Sequence, residues 1–382
     1  MKIVHLAIDC FFIDGYSYQE NMIMKYHAKM GHQVTVIASL VSFDEKGNKC
    51  LLPHPCEYRD SNGFKVIRLQ YSSPISVNRW LRKYEGFKNT LEKEHPDVIF
   101  SHNLGYRDTS IVVDYLKRNP HVKFFCDNHV DYINYGKNWI TRYILNTGIR
   151  AIYAKRLIPY ITTSFGVTPM RCRYLKEVYD MPSSLVQFLP MGVDNEAIPT
   201  DRQNVRSQIR NSLEINETDY VIFTGGKIDK LKNTHILLEA LQRLNQPHVH
   251  LLICGVLTPE MEYLKEIIDS LSNIHYLGWC NAEQVMNYMV SSDIACFPGT
   301  HSTLWEQSVG VGIPGIFKLW KEIDHVNING NAKFVSGEDP EEICNTIENT
   351  IEQIKNGNLR DLCNTASLSF LYSEIAKRAI GL

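Results

Sequence analysis

Short apolar runs rich in β-branched residues alternate along this chain with longer stretches whose apolar positions recur every three or four residues. The first kind has the length of a strand buried on both faces, and the second has the period of a helix with one face in a core. KIVHLAI (Lys2–Ile8), QVTVIA (Gln33–Ala38), FKVIRL (Phe64–Leu69), Pro96–His102 and Lys123–Cys126 read as strands. Ile23, Tyr26 and Met30 mark one helix face between the first two, ended by Gly31-His32, and a helical stretch is expected from Val77 to His95. Strand, helix, strand is a βαβ unit, for which a right-handed parallel crossover is expected.

Pro190-Met-Gly-Val-Asp194 makes a turn, and the weakly patterned polar segment after it, up to Asp219, is the best domain boundary. The alternation then restarts with YVIF (Tyr220–Phe223), VHLLICG (Val249–Gly255), Ile274–Leu277, Asp293–Phe297 and Gly315–Leu319. Helices are expected over His235–Leu244, from Thr258-Pro259-Glu260, from a capping pair Asn281/Gln284, through Trp305, and from Asp339-Pro340. A last helix is expected over Thr365–Leu382. The loops at 224–232, 255–258, 278–281 and 298–303 fall on one edge of a parallel sheet, the edge where α/β sheets bind ligands. The expected domains are 1–194, 195–364, and a C-terminal helix 365–382 returning to the first.

Composition narrows the class without naming it. The ten cysteines are scattered, with no C-x-x-C pair, and several lie inside apolar runs. That pattern suits buried thiols in a reducing cytosol, not a disulfide framework or a zinc site. The apolar run at the N-terminus is too short for a secretory leader, and no stretch has the length to span a bilayer. A cytoplasmic protein, at most peripheral on the inner face of a membrane, is expected. Formal net charge is −2, but residues 1–194 hold 25 Lys/Arg and 18 Asp/Glu, a balance of +7. By difference from 40 and 42, the remainder holds 15 and 24, a balance of −9.

Part of that excess lies between Tyr132 and Lys176, where Lys137, Arg142, Arg150, Lys155, Arg156, Arg171 and Arg173 are interleaved with Trp139, Tyr143, Ile144, Ile152 and Tyr153. Such a stretch suits an anionic membrane surface, or is a core face backed by solvated cations. Nucleic acid is not expected, because no motif for it is present and the pI is near 6.7.

Candidate chemistry sits at the strand ends. Gly225 and Gly226 at a strand tip, with Lys227, Lys230 and Lys232 behind them, suit a phosphate ligand: glycine lets backbone approach and lysine supplies charge. The spacing is not that of a Walker loop. PGTHSTLWEQSVGVGIP (Pro298–Pro314) places backbone amides near Thr300, His301, Ser302 and Thr303 before a helix, with Glu306 and Gln307 one turn in. Gly15 opens the first loop, and Asp127 and His129, just past the tip of the Lys123–Cys126 strand, project near one crevice. Trp279 either flanks a bound base or fills the core. No Asp-x-Asp metal signature occurs, so neither metal nor cofactor is expected.

The order of these signals resembles the family-4 glycosyltransferases over nearly the whole chain. The carriers are Gly15, GHQVTVIAS (Gly31–Ser39), PDVIFSHN (Pro96–Asn103), DNH (Asp127–His129), LPMGVD (Leu189–Asp194), GGKIDKLKN (Gly225–Asn233), LLICG (Leu251–Gly255), YLGW (Tyr276–Trp279) and the 298–314 stretch. The resemblance implies an α/β fold of two Rossmann-like domains facing across a cleft, the GT-B architecture. It implies a retaining, metal-independent transfer of a sugar, hexose-type, from a nucleotide donor, UDP above all, by front-face attack of the acceptor hydroxyl. Lys227 stands where the family has an Arg on the donor diphosphate, and Lys232 matches the family's Lys. The family's ribose glutamate falls on Gln307, with Glu306 beside it, and the glutamate near the donor sugar has no match, since His301, Ser302 and Thr303 occupy a shorter loop. The implied acceptor is a lipid-linked glycan or surface polysaccharide at an anionic membrane. Two rivals stand beside this reading: a sugar-nucleotide epimerase of the same fold, and a catalytically silent nucleotide-binding partner subunit.

Overall fold

The computed structural model describes residues 1–44, 48–131, 148–320 and 322–382. They form two compact units, Met1–Pro190 with Ile375–Leu382, and Met191–Glu374. Lys137, Trp139, Arg142, Tyr143 and Ile144 of the basic stretch lie outside the described residues.

The first unit is built on β1 (Lys2–Ala7), β2 (Gln33–Ser39), β3 (Val41–Phe43), β4 (Lys49–Leu51), β5 (Cys56–Arg59), β6 (Lys65–Leu69), β7 (Val98–His102), β8 (Lys123–Asn128), β9 (Thr163–Gly166) and β10 (Val186–Phe188). Its main sheet runs β10-β9-β8-β7-β1-β2-β6-β5, parallel except for the edge strand β5. β3 and β4 form a separate antiparallel pair in the polar segment between β2 and β6. Both faces of the sheet are covered. Leu6, Ile99, Phe124 and Leu157 pack on one side, Ala7, Met24, Val36 and Val66 on the other. That is why the central strands read as unbroken apolar runs, each fully buried aliphatic side chain contributing about 1.5–3 kcal/mol.

Strand order reverses between β1 and β7, so a crevice opens at their carboxyl ends. The loop after β1 is pinned there by Arg68, which is 1% exposed and donates to Asp14, Phe12 O, Ser39 O and Val41 O at 2.7–3.1 Å. Asp9 accepts the Gly105 N–H at 2.6 Å and closes the same loop onto the one after β7.

The single helix expected over Val77–His95 is two, Ile75–Leu81 and Phe87–Glu94. Arg82 and Gly86 take left-handed φ of 57° and 71° between them. The break follows from burying Tyr84, whose hydroxyl donates to Ile8 O at 2.6 Å while its N–H reaches Asp108 Oδ2 at 2.7 Å. The expected last helix is likewise two, Arg360–Leu368 and Tyr372–Ala379, because Phe370 turns inward to 1% exposure and its carbonyl accepts Val193 N–H at 2.8 Å.

The second unit has one sheet among the described residues, of β11 (Tyr220–Ile228), β12 (Val249–Leu257), β13 (Ile274–Gly278), β14 (Ile294–Phe297), β15 (Gly315–Lys318) and β16 (Ala332–Val335). All pairs are parallel, in the order β13-β12-β11-β14-β15-β16. Hence the four loops expected on one edge do share the carboxyl edge. Ile222, Leu237, Leu251, Ile253 and Ile347 fill the core between sheet and helices. Asp293 anchors the helix Arg202–Ser212, accepting from Arg206 and Arg210 at 2.7 Å each and from Val221 N–H at 2.8 Å. Strand order reverses between β11 and β14, which places the second unit's crevice beside Lys227 and Pro298. Among the described residues no helix is long and apolar enough to cross a membrane.

Candidate functional site

The glycine pair expected at a strand tip lies inside the strand: β11 runs on to Ile228 and carries Gly225, Gly226 and Lys227. Its register explains the glycines. Gly226 pairs with Gly255 of β12, and a Cβ on Gly255, which has φ of 150°, would fall 1.8 Å from Gly226 O. The two backbones run that close only without side chains, and the extended strands carry Lys227 and Val256 past the sheet edge.

Beyond β11 the turn through Lys230–Lys232 touches the turn after β14. Leu231 O accepts Thr300 N–H at 2.9 Å, and Asn233 Nδ2 donates to Pro298 O at 3.1 Å. Lys232 Nζ donates to Thr300 O at 2.8 Å and His301 O at 3.4 Å. Its ammonium is half-buried, with no carboxylate within ion-pair distance among the described residues, and burial lowers its pKa. A cation satisfied only by neutral carbonyls is an open place for an anion. The Thr300 amide, by contrast, is taken up by Leu231 and is not available to a phosphate. The N–H groups of Ser302 and Thr303 have no partner among the described residues, and neither does the buried Ser302 Oγ.

These groups line a cavity of about 720 Å³, bounded by Gly226, Lys227, Lys232, Trp279, Ser302 and Thr303, with Cys254, Gly255, Val256, Cys280, Val285 and Leu304 completing it. That volume is in the range of small-molecule sites. Trp279 does not fill the core: it is 74% exposed, carried out by the turn at Gly278, whose φ is 65°.

Glu306 and Gln307 part company on the helix Leu304–Gly310. Gln307 is half-buried, while Glu306 is fully buried and accepts from His301 Nε2 and His325 Nε2, both at 2.8 Å. Burial alone would raise its pKa; the two imidazoles reverse that and hold it well below the ordinary range. Sequence patterns singled out His301 but not His325, which only the folded loop brings to Glu306. The three side chains could be arranged around a cation, their ligand atoms lying within 4.8 Å of one another. Two contacts of 2.8 Å on one oxygen are, however, hydrogen-bond lengths, and donors of a tetrahedral ion at about 2.0–2.2 Å would stand further apart.

In the first unit, β8 extends to Asn128, so Asp127 lies within the strand and is fully buried. It accepts from His102 Nδ1 at 2.8 Å and lies 3.3 Å from His129 Nε2. The His129 N–H donates to Asn103 Oδ1 at 2.9 Å, and its side chain remains 21% exposed. Burial would lower the His129 pKa, but the Asp127 and Glu20 carboxylates outweigh it and the pKa is raised. Asp127 itself, fully buried, meets His102 and His129 and not the surface. Gly15 is an exposed turn residue with φ of 76°. His5, His27 and His102 were missed as a group. Polar rings inside the apolar runs of β1 and β7 were the available sign, but strand periodicity does not say which of them meet.

Two family models match the chain: Glycosyltransferase Family 4 over residues 21–197 and Glycosyl transferases group 1 over residues 205–314. No curated protein matches it. Among solved structures it is similar to sucrose-phosphate synthase from Thermosynechococcus elongatus, with TM-score 0.65 and 14% identity over 99% of this chain and 97% of that one. It is similar to Anabaena Alr3699/HepE in complex with UDP and glucose, with TM-score 0.63 and 14% identity over 99% and 98%. It is also similar to WaaG, a glycosyltransferase involved in lipopolysaccharide biosynthesis, with TM-score 0.61 and 17% identity over 100% of both chains. Likeness at such identities carries the GT-B fold, and the two family matches fall one on each half of the chain. With two parallel α/β sheets and those matches, the chain belongs to the group 1, family-4 glycosyltransferases.

Proposed function

We propose that the protein is a retaining, metal-independent hexosyltransferase that takes its sugar from a UDP-sugar and passes it to a lipid-linked or surface-polysaccharide acceptor. The observation that carries this reading is the half-buried Lys232 ammonium, held among the described residues only by carbonyls, beside donors of Ser302 and Thr303 that have no partner among those residues, on one cavity. Departure of the nucleoside diphosphate builds charge on its β-phosphate. Lys227, Lys232 and the amides of Ser302 and Thr303 stabilise that charge as it develops, which lowers the barrier more than it tightens ground-state binding. Trp279 stacks on the base, Gln307 takes the ribose, and Gly225 and Gly226 let the backbone approach the donor. His129, oriented by Asp127, holds a sugar hydroxyl, and the acceptor hydroxyl attacks on the face the diphosphate leaves. The UDP complex of the Anabaena neighbour supports the choice of nucleotide, and the role of WaaG in lipopolysaccharide biosynthesis supports the class of acceptor.

Thermal stabilisation by a panel of nucleotide sugars tests the donor, since a ligand specific to the folded state raises its apparent stability by mass action. Selective stabilisation by UDP-sugars is expected, followed by a product of unchanged anomeric configuration by NMR. Inversion, or a UDP-sugar converted without any acceptor, would sink the reading, and the second result would favour an epimerase.

A membrane-facing role is supported by the helix Ile75–Leu81, where Ile75, Val77 and Trp80 are 57%, 50% and 44% exposed beside Arg79. Ile152 is exposed on the helix Ala151–Leu157 of the basic stretch. Several cations of that stretch are paired, Lys155 with Asp180, Arg171 with Asp131 and Arg173 with Glu177, so the expectation rests more on this apolar face than on net charge. Co-sedimentation with phosphatidylglycerol vesicles is expected to fall about tenfold in Ile75→Asp/Trp80→Ala, roughly the apolar area lost from the interface. Equal binding by the variant would remove this face from the membrane site.

A further inference from the structure

The interior of the first unit holds a file of three imidazoles that nothing above requires. His27 comes from the helix Gln19–Lys29, His5 from the middle of β1 and His102 from the end of β7, and all three are fully buried. His27 Nε2 lies 2.8 Å from Ala376 O, His27 Nδ1 lies 3.0 Å from His5 Nε2, and His5 Nδ1 lies 3.1 Å from His102 Nε2. His102 Nδ1 then meets Asp127 Oδ2 at 2.8 Å. Phe100 covers His5 and His102, and His32 stands edge-on to His27.

Counting protons fixes the chemistry of this file. Its two ends, a carbonyl and a carboxylate oxygen, are acceptors. Four contacts need four hydrogens, and three neutral imidazoles carry three. Because Ala376 O can only accept, His27 donates from Nε2 and receives at Nδ1. The same polarity passes to His5, so His102 donates from Nε2. The contact between His102 and Asp127 is a hydrogen bond only if a fourth proton is present.

Burial pushes the His27 pKa down to about 3 and that of His5 well below its ordinary value, so neither ring takes the extra proton. Between the remaining pair, a carboxyl is the stronger acid in water by about 2.6 pH units. His129 lies against the same oxygen and favours the carboxylate further. The other ionisable groups facing this end are Cys10 and Glu20, with Arg171 toward His129. We infer that the fourth proton resides on His102, held as an imidazolium between His5 and Asp127, and that His102 is thereby a positioning residue for the Asp127–His129 pair. The imidazolium fixes one edge of the carboxylate and shares its charge, which sets both the aim of the His129 ring and how readily it takes a proton. The functional half of this inference rests on the assignment of His129 to a sugar hydroxyl; the protonation half does not.

Nitrogen-15 NMR of the full chain with labelled histidine tests both halves. At neutral pH the assigned His102 ring is expected to show both nitrogens protonated, with His5 and His27 carrying hydrogen on Nε2 alone. In His5→Phe the file is cut and no acceptor faces His102 Nε2, so His102 is expected to lose that proton. In His102→Gln the carboxylate charge falls wholly on His129, whose titration is expected to move up by about one pH unit. A wild-type His102 with one protonated nitrogen overturns the inference, and that measurement stands even if neither variant folds. An unmoved His129 titration in His102→Gln overturns the positioning role. Wild-type transfer by His129→Ala, with the NMR results as expected, would instead remove His129 from the sugar site and leave the imidazolium in place.

Discussion

Replacing Lys227 and Lys232 together with alanine is expected to lower kcat/KM by about two to four orders of magnitude while the fold survives. A hydrogen bond to a charged group contributes about 1.5–3 kcal/mol. Two of them lost from a developing diphosphate raise the barrier by about 3–6 kcal/mol, at about 1.4 kcal/mol per decade. The two positions should not behave alike. Lys227 is exposed at the end of β11, and its loss falls on catalysis alone. Lys232 also ties its turn to the carbonyls of Thr300 and His301, so Lys232→Ala should cost about 1 kcal/mol of stability as well. Urea unfolding separates the two effects, and calorimetry with UDP shows whether ground-state binding goes with the rate. Turnover near that of the wild type in the double variant would mean that the diphosphate lies elsewhere.

The parts of this site legible in the sequence are those set by local chain chemistry. Gly225 and Gly226 marked the cavity wall, though as a phosphate-binding strand tip and not as the strand-to-strand approach with Gly255 that the register creates, and Asn281 with Gln284 forms the capping box their spacing implied. The parallel βα order placed the 227–232 and 298–303 segments on one sheet edge, as β11 and β14 show. What stayed hidden depends on tertiary partners. Tyr84 breaks a helical pattern because its hydroxyl reaches Ile8 on another strand. Trp279 suits a core position better than a base-flanking one by its sequence alone, but the left-handed Gly278 turns it outward. His325 lies in a loop without periodicity, and His5 sits where an aliphatic residue would satisfy the same pattern. A histidine file is specified by which strands are neighbours, and strand order is a property of the whole sheet.

Removing the Glu306 carboxylate should weaken the second unit and its cavity together. Glu306→Ala leaves two Nε2–H groups facing an apolar interior without their acceptor, and His325 has only 2% of its side chain exposed. Breaking a buried pair of this kind costs about 3–5 kcal/mol. Glu306→Gln keeps the shape and one acceptor oxygen but not the charge, and its loss should be smaller. Because His301 precedes Ser302 and Thr303 in the cavity wall, the donor's KM should rise in both variants. The pH dependence has a definite sign. The native carboxyl titrates well below the unfolded value, so its stabilisation is complete above about pH 4.3 and is lost as pH falls from there toward the native pKa. Urea unfolding should therefore show a gap between wild type and Glu306→Gln that is full at neutral pH and narrows in acid. A gap independent of pH would mean that the carboxylate's charge is not what holds His301 and His325. A chelator separates the remaining alternative: hydrogen bonds predict an unchanged wild-type midpoint, whereas a cation held by the same three side chains predicts a fall as large as that of the substitution.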